Sequence, residues 1–320
     1  MENANLISTI QSIFLQHGLT LPPESAIIPD GRIRKWETQG KHNGKKNVWL
    51  AVYSTSPLHF AGGDWSIPSS GFKYLGNEGE SFPLSKEESE RIEEQKRQQI
   101  NEAAEAREKS LAYLKTWPSL PTYDSRNFSV PHPYLRKKKL SRGHIARWDS
   151  NGNYLVFPLL NRDGKVKNLQ KIDVDGNKRY LKELSREGLF IPLWNNTSDT
   201  STPLVVEGIA TGLSVLEATD RLVIVALDCN SYTEAIKSAS YWLMNVVWKL
   251  KSKPESFYER FIIIADNDIS RAGEEGARKA SRELGCSFTV IPNFGDTAIT
   301  DCNDFASVFG LEALGQILNF

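Results

Sequence analysis

Residues 204–218 read LVVEGIATGLSVLEA: three apolar residues, a glutamate at 207, a glycine at 208, then a helix-forming run. An apolar run ending in a carboxylate beside a glycine is a buried strand that turns into a helix at a charged position. The same pattern recurs downstream. RLVIVAL (221–227), RFIIIA (260–265) and SFTVI (287–291) alternate with helical stretches. Short apolar strands alternating with helices predict βαβ units around a parallel sheet buried on both faces.

Acids follow the strands. The first run ends at Glu207, the second at Asp228, the third at Asp266 and Asp268 in ADND. In open α/β sheets the functional crevice lies at the carboxyl ends of the strands, so these four acids are expected on one rim. Residues 266 and 268 alternate with Asn267, so both carboxylates reach one side while the amide points away. Any one of them also fits a plain helix cap. Together, without an adjacent arginine, they repel one another, and a divalent cation is the usual compensation. Oxygen-only donors suit Mg²⁺ or Mn²⁺. The three cysteines (Cys229, Cys286, Cys302) form no CxxC pair, so no zinc site is expected.

The chain has 320 residues and no net formal charge, unevenly distributed. Residues 131–186 hold 14 Lys/Arg against 5 Asp/Glu, whereas residues 203–320 hold 10 against 16. A basic middle beside an acidic end suits a polyanion groove next to a cation centre, or two solvated surfaces that balance. No apolar run approaches the roughly 18 residues of a membrane helix, and MENANLISTIQ is no signal peptide. With no disulfide framework, a cytoplasmic location is expected.

Upstream, residues 1–82 read as a small β-rich N-terminal module. It has one helix (ANLISTIQSIFLQHG) and the strand-like runs RIRKWET, NVWLAVYS and LHFAGGDWS. Residues 83–117 read as a solvated connecting helix with sparse apolar positions (Ile92, Ile100, Ala104, Leu111, Leu114) and a capping box at Ser85 and Glu88. Residues 118–200 form a basic subdomain. In it the turns Asp163-Gly164 and Asp175-Gly176 make a meander of hairpins, and WNNTSDTSTP (194–203) is a polar linker. Residues 201–320 are the α/β domain.

VVEGIATGLSV, VIVALDCN and FIIIADNDISRAGEEGARKA together resemble the TOPRIM domain, in the form found in plasmid and phage primases related to the bacterial DnaG-type primase. HPYLRKKKL, LVFPLLNRDGKVKNLQKI and DGNKRYLKEL resemble the basic subdomain of those primases. GRIRKWETQGKHNGKKNVWLAVY with AGGDWS resembles their leading module. The resemblance implies a DNA primase that makes short RNA primers on single-stranded DNA by metal-dependent nucleotidyl transfer. Its partners would be the template, nucleoside triphosphates and a separate helicase or other replication protein. Glu207 then matches the TOPRIM glutamate, a metal ligand or general base. Asp266 and Asp268 match the metal-binding pair, and Asp228 the intervening acid. Asp304 in DCND falls at a late Asp-Asn-Asp element. Gly208 is expected to let the backbone turn and to keep bulk away from Glu207.

In the basic segment Lys171, Arg179 and Lys182 are candidate nucleotide contacts by resemblance. Arg136, Lys137, Lys138, Lys139 and Arg147 are candidate template-phosphate contacts. Trp148, Tyr154 and Tyr180 are candidates for base stacking or for the core. His132 and His144 receive no role. GKHNGKK at 40–46 is too short between its glycines for a P-loop, so no motor is expected. Alternative functions for the same acids are a TOPRIM nuclease and a non-catalytic DNA-binding replication accessory. A topoisomerase would need far more chain.

Overall fold

Alternation along residues 48–55 organises the first part of the chain. In the computed structural model, strand β2 (Val48–Thr55) buries Val48, Leu50 and Val52 in one cluster and Trp49 and Ala51 in another. β2 lies second in an antiparallel meander with β1 (Arg34–Trp36), β3 (Leu58–Asp64), β4 (Phe72–Leu75) and β5 (Glu80–Pro83). Helix α1 (Asn3–Gln16) adds Leu6, Ile10, Ile13 and Phe14 to the first cluster, as expected for residues three and four apart on one helix face. Ile92 of helix α2 (Lys86–Thr116) joins the second cluster. The rest of α2 is largely solvated, with Ile100 and Leu111 exposed. The short strands β4 and β5 are additions to the three expected from sequence.

The structure describes residues 3–37, 46–67, 70–76, 78–84, 86–123, 131–140, 145–250, 253–292 and 299–319. Ser85 of the expected capping box, His144 and residues 40–45 of the GKHNGKK stretch lie outside them. The chain divides into two units, Met1–Glu105 and Ala106–Phe320, so the division falls inside α2.

In the second unit the short helix α3 (Pro133–Lys137) precedes a four-stranded meander, β6 (Arg147–Asp149), β7 (Tyr154–Leu160), β8 (Val166–Ile172) and β9 (Lys178–Tyr180). Gly164 and Gly176 take φ of +74° and +90° in the turns joining β7 to β8 and β8 to β9, which a side chain resists.

A five-stranded sheet follows in the order β10 (Ile191–Leu193), β12 (Arg221–Val225), β11 (Asp199–Val206), β13 (Ile262–Ala265), β14 (Ser287–Val290). β12, β11, β13 and β14 run parallel, and β10 is antiparallel on β12. The four apolar runs read from sequence are these four parallel strands. Leu204, Val206, Val223, Val225 and Ile264 face one core, and Val205, Leu222, Ile224, Ile263 and Ala265 the other. Helices α4 (Ile209–Thr219), α7 (Cys302–Phe309) and α8 (Leu311–Ile317) cover the first face, which also receives Leu155, Phe157 and Leu159 of β7. Helices α5 (Tyr232–Tyr241) and α6 (Ala272–Leu284) cover the second.

The stretch 194–203, expected as a linker, is half strand. β11 begins at Asp199, and Asn195 and Thr197 bond the Asp220 carboxylate at 2.7 and 2.9 Å. Residues 118–200 and 201–320, divided at the sequence level, fall in one unit, with β10 hydrogen-bonded to β12. No helix among the described residues is long and apolar enough to cross a membrane.

Candidate active site

Because β11, β12 and β13 are parallel, their carboxyl ends share one rim. Glu207 follows β11 directly, Asp266 follows β13, and Asp228 lies three residues past β12. Glu207 and Asp266 are half-buried, and neither carboxylate has a hydrogen-bond or ion-pair partner among the described residues. Burial pushes the Asp266 carboxyl up to about 7, and the charges of Asp301, Glu207 and Asp268 add to the shift while Lys178 opposes it. Glu207 is raised by burial, then by Asp228, Asp268 and Asp301, again against Lys178. Five carboxylates thus act on one another: Glu207, Asp228, Asp266, Asp268 and Asp301.

They do so without converging, since no group of three carboxylate, thiol or imidazole side chains among the described residues stands close enough to hold an ion. Three of the five also have local work. Asp228 caps the turn Cys229–Ser231, accepting from the Asn230 N–H at 3.0 Å and the Ser231 hydroxyl at 2.9 Å. Asp268 accepts from the Ser270 hydroxyl at 2.8 Å. Asn267 turns away as expected: its N–H donates to the Thr300 carbonyl at 2.7 Å and its amide to the Ile291 carbonyl at 3.1 Å. These bonds bring the segment entering α7 to the rim. Asp301, the N-cap of α7, accepts from the Asp304 N–H at 2.8 Å. Asp304 itself faces elsewhere, accepting from the Thr300 hydroxyl at 3.0 Å and lying 4.0 Å from Lys138 Nζ.

Two glycines of α6 permit the close packing beneath these acids. A Cβ on Gly273 would stand 2.9 Å from the Asp266 carbonyl oxygen, and one on Gly276 would stand 2.3 Å from that of Cys229. Gly208 is a different case. Its φ of −118° and ψ of 159° are extended backbone that any residue adopts, so the turn into α4 does not require glycine. A Cβ there would meet Lys178 Nζ at 3.8 Å, an ordinary contact, so what glycine leaves open is space beside that ammonium.

Lys178 is the cation the sequence reading passed over. Register explains its position. In the antiparallel pair β8–β9, Lys171 stands opposite Arg179 and Ile172 opposite Lys178. Opposed residues share a face and neighbours alternate. Lys178 and Tyr180 therefore share the face of Ile172, which is the core side, and Lys171 and Arg179 take the other. Burial raises the Tyr180 phenol, with Asp228 and Glu207 among the contributing charges, so this edge of β9 reaches the acidic rim.

On the opposite face Lys171 Nζ lies between the rings of Tyr113 and Tyr154, 4.3 and 4.1 Å from their centroids. The Tyr113 hydroxyl bonds the buried Asp149 at 2.5 Å. Arg147 donates to the carbonyls of Pro118 and Leu120 at 2.7 Å and covers Trp117, so its guanidinium is committed to local structure. Lys139 Nζ donates to the Ser307 carbonyl at 2.9 Å. Arg136, Lys137, Arg179 and Lys182 are exposed. Asn303, buried in α7, donates to the Lys138 carbonyl at 2.8 Å and the Ser214 hydroxyl at 3.0 Å, anchoring the 136–139 run to α4. His132 is buried, its ring bonded to the Asn153 carbonyl at 3.1 Å and accepting from the Tyr134 N–H at 3.3 Å. Trp148 and Tyr180 pack against the core.

No protein-family model matches the chain. It is similar in sequence to two proteins of Escherichia coli named DNA primase TraC. One is 24% identical over 236 residues, covering 71% of this chain and 15% of that protein; the other is 26% identical over 204 residues, covering 63% and 19%. The chain thus aligns with less than a fifth of the length of these relatives. Among solved structures it is similar to the Aquifex aeolicus primase (zinc-binding and RNA polymerase domains), with a TM-score of 0.42 and 13% identity, covering 99% of this chain and 84% of that one. The resemblance to DNA primases read from the motifs is shown by these sequence relatives.

Proposed function

We propose that the chain is a TOPRIM primase. It synthesises short RNA primers on single-stranded DNA; Glu207, Asp228, Asp266, Asp268 and Asp301 would hold Mg²⁺ or Mn²⁺ only once drawn closer together than they stand in the metal-free chain. The observation that carries this reading is the set of acids at the carboxyl ends of adjacent parallel strands, of which Glu207 and Asp266 are raised by burial and then by their neighbours' charge, with Lys178 opposing. The donors are all oxygen, which fits a hard divalent cation. When bound, the cation would lower the pKa of the attacking 3′-hydroxyl and offset charge on the α-phosphate. The relatives named DNA primase support the same reading.

The chain's own residues supply position and charge. Glu207, whose carboxyl is raised by burial and by the neighbouring acids, is the candidate to take the hydroxyl proton. Lys178 sits where a triphosphate approaching the acids would meet it, and Gly208 keeps that approach open. Arg136, Lys137 and Lys138, in a run whose Lys138 carbonyl is held by Asn303, would contact template phosphates. Asp304 is a second contact for Lys138 more than a metal ligand. Lys182 and the face of Lys171 and Arg179 offer further backbone contacts. A replication partner supplies unwinding, and the cytoplasm supplies the nucleotides.

The test is primer synthesis on single-stranded circular DNA with labelled ribonucleotides and Mg²⁺ or Mn²⁺, comparing wild type with the double variant Asp266→Ala, Asp268→Ala. Short products lost in the variant support the proposal. Cleavage of the DNA, lost in the variant, would replace it with a nuclease. Binding without either activity in both proteins would leave a DNA-binding accessory.

A further inference from the structure

The ammonium of Lys171 is walled by two aromatic rings, 4.3 Å from the centroid of Tyr113 and 4.1 Å from that of Tyr154. Register supplies one wall. Val156 of β7 stands opposite Lys171 of β8, and Tyr154 shares the face of Val156, so its ring is a diagonal neighbour of the lysine. The other wall comes from α2, where the Tyr113 hydroxyl bonds Asp149 of β6 at 2.5 Å and ties the ring to the same face. Gly152 makes room for Tyr154. A Cβ there would stand 2.0 Å from Tyr154 Cε2 and 2.4 Å from Cδ2, so any side chain at 152 displaces the ring. Gly152 is not among the glycines of positive φ, so the backbone does not demand glycine at this position.

What the cage does not supply is an acceptor. Among the described residues Lys171 Nζ has neither a hydrogen bond nor an ion pair. Asp149, the nearby acid, is engaged by the Tyr113 hydroxyl and by the Asn151 N–H at 3.2 Å. Directly across the strand pair stands a second cation, the exposed Arg179. Opposed like charges destabilise a sheet. Burial lowers the Lys171 pKa, with Asp149 opposing and Arg179 adding. A ring face attracts an ammonium through its quadrupole and leaves the N–H donors to other acceptors. A partly buried ammonium with its donors unspent, beside a second cation, points to an anion from outside the chain. Lys178 faces the acids on the opposite side of β9, so this face suits the strand more than the triphosphate.

We infer that Tyr113 and Tyr154 are positioning residues, which hold the Lys171 ammonium so that, together with Arg179, it takes a backbone phosphate of the single-stranded template. Gly152 is what lets Tyr154 stand there. The rings act through the lysine, whose side-chain freedom is given up on folding and not on binding. This role rests on the reading of the chain as a template-dependent polymerase proposed above.

The test is a double-mutant cycle on the full chain, read by the anisotropy of a fluorescein-labelled oligothymidylate over a range of NaCl concentrations, with ATP binding followed by calorimetry. Lys171→Gln should weaken oligothymidylate binding and lower the slope of log affinity against log salt by about 0.7, the share of one single-strand phosphate contact. Tyr113→Leu, Tyr154→Leu and Gly152→Ala should each weaken it by about three- to tenfold, and none should weaken it further in the Lys171→Gln background. Gly152→Ala only displaces a ring, so it keeps the test decisive if a leucine variant fails to fold. Losses that persist at full size without Lys171 overturn the inference, because the rings then touch the bases or merely support the fold. So does a Lys171→Gln protein that binds oligothymidylate as wild type does, or one that loses affinity for ATP alone; primer synthesis by wild type would leave the polymerase reading standing in both cases. A wild type that binds no oligothymidylate ends both.

Discussion

Replacing Asp266 by asparagine is expected to stabilise the metal-free protein at alkaline pH and to leave it nearly unchanged at acid pH. In the folded chain burial and the neighbouring acids lift this carboxyl from 3.8 to about 7. At about 1.4 kcal/mol per pKa unit, that difference of roughly three units corresponds to about 4 kcal/mol. The sign follows from the direction. A carboxyl raised in the folded state binds its proton more tightly there than in the unfolded chain. Its stabilising contribution is complete below pH 3.8 and is lost as pH rises through 7. Partial solvent access reduces the effect, so about 2–4 kcal/mol is expected at pH 8.5, or roughly 5–15 °C in melting temperature for a unit of this size. The assay is thermal unfolding of both proteins in EDTA between pH 4 and 8.5. The gap in favour of Asp266→Asn should open across that range, and millimolar Mg²⁺ should narrow it by stabilising wild type alone. A gap that stays flat with pH, or a variant less stable than wild type at pH 8.5 in EDTA, would refute the electrostatic account of the rim.

Glu207→Gln and Asp301→Asn are each expected to lower primer synthesis by about 100-fold or more with single-strand binding retained, whereas Asp304→Asn, turned toward Thr300 and Lys138, should cost less than about tenfold; steady-state synthesis and a gel-shift titration decide. Lys178→Ala should slow synthesis at saturating template by about tenfold or more, while Arg179→Ala, on the opposite face of β9, should act mainly on template affinity and its salt dependence; reversed phenotypes would show that the register argument fails. Gly276→Ala should destabilise the chain by about 1–3 kcal/mol in denaturant unfolding, since the added carbon meets the Cys229 carbonyl at 2.3 Å and must displace α6 or the Asp228 turn.

The parallel sheet was legible because four apolar runs each ended at an acid or a turn, and burial on both faces leaves little choice but a continuous apolar strand. The acids Glu207, Asp228, Asp266 and Asp268 could be placed on one rim for the same reason. Asp301 was harder to see. It belongs to no strand and reaches the rim only because Asn267 holds the Thr300 carbonyl, a contact between residues far apart in sequence. Lys178 was missed for a simpler cause. Neighbours on a strand face opposite ways, and which of Lys178 and Arg179 faces the core is set by pairing with Ile172, not by composition. Arg147 illustrates the converse: a basic residue in a basic segment, yet spent on two carbonyls. β10 was hidden because three residues, Ile191–Leu193, are too few to show a period.

That short strand bears on where the chain can be cut. The polar stretch from 194 invites an expression boundary near residue 201, which would isolate the α/β part as a fragment. Such a fragment would lose β10 together with the first residues of β11, leaving β12 as a bare apolar edge whose backbone donors and acceptors had been satisfied by Ile191 and Leu193. Its expected fate is inclusion bodies or pairing with other copies of itself. A fragment that keeps this sheet whole should instead begin upstream of the β6–β9 meander, where the cut falls between sheets.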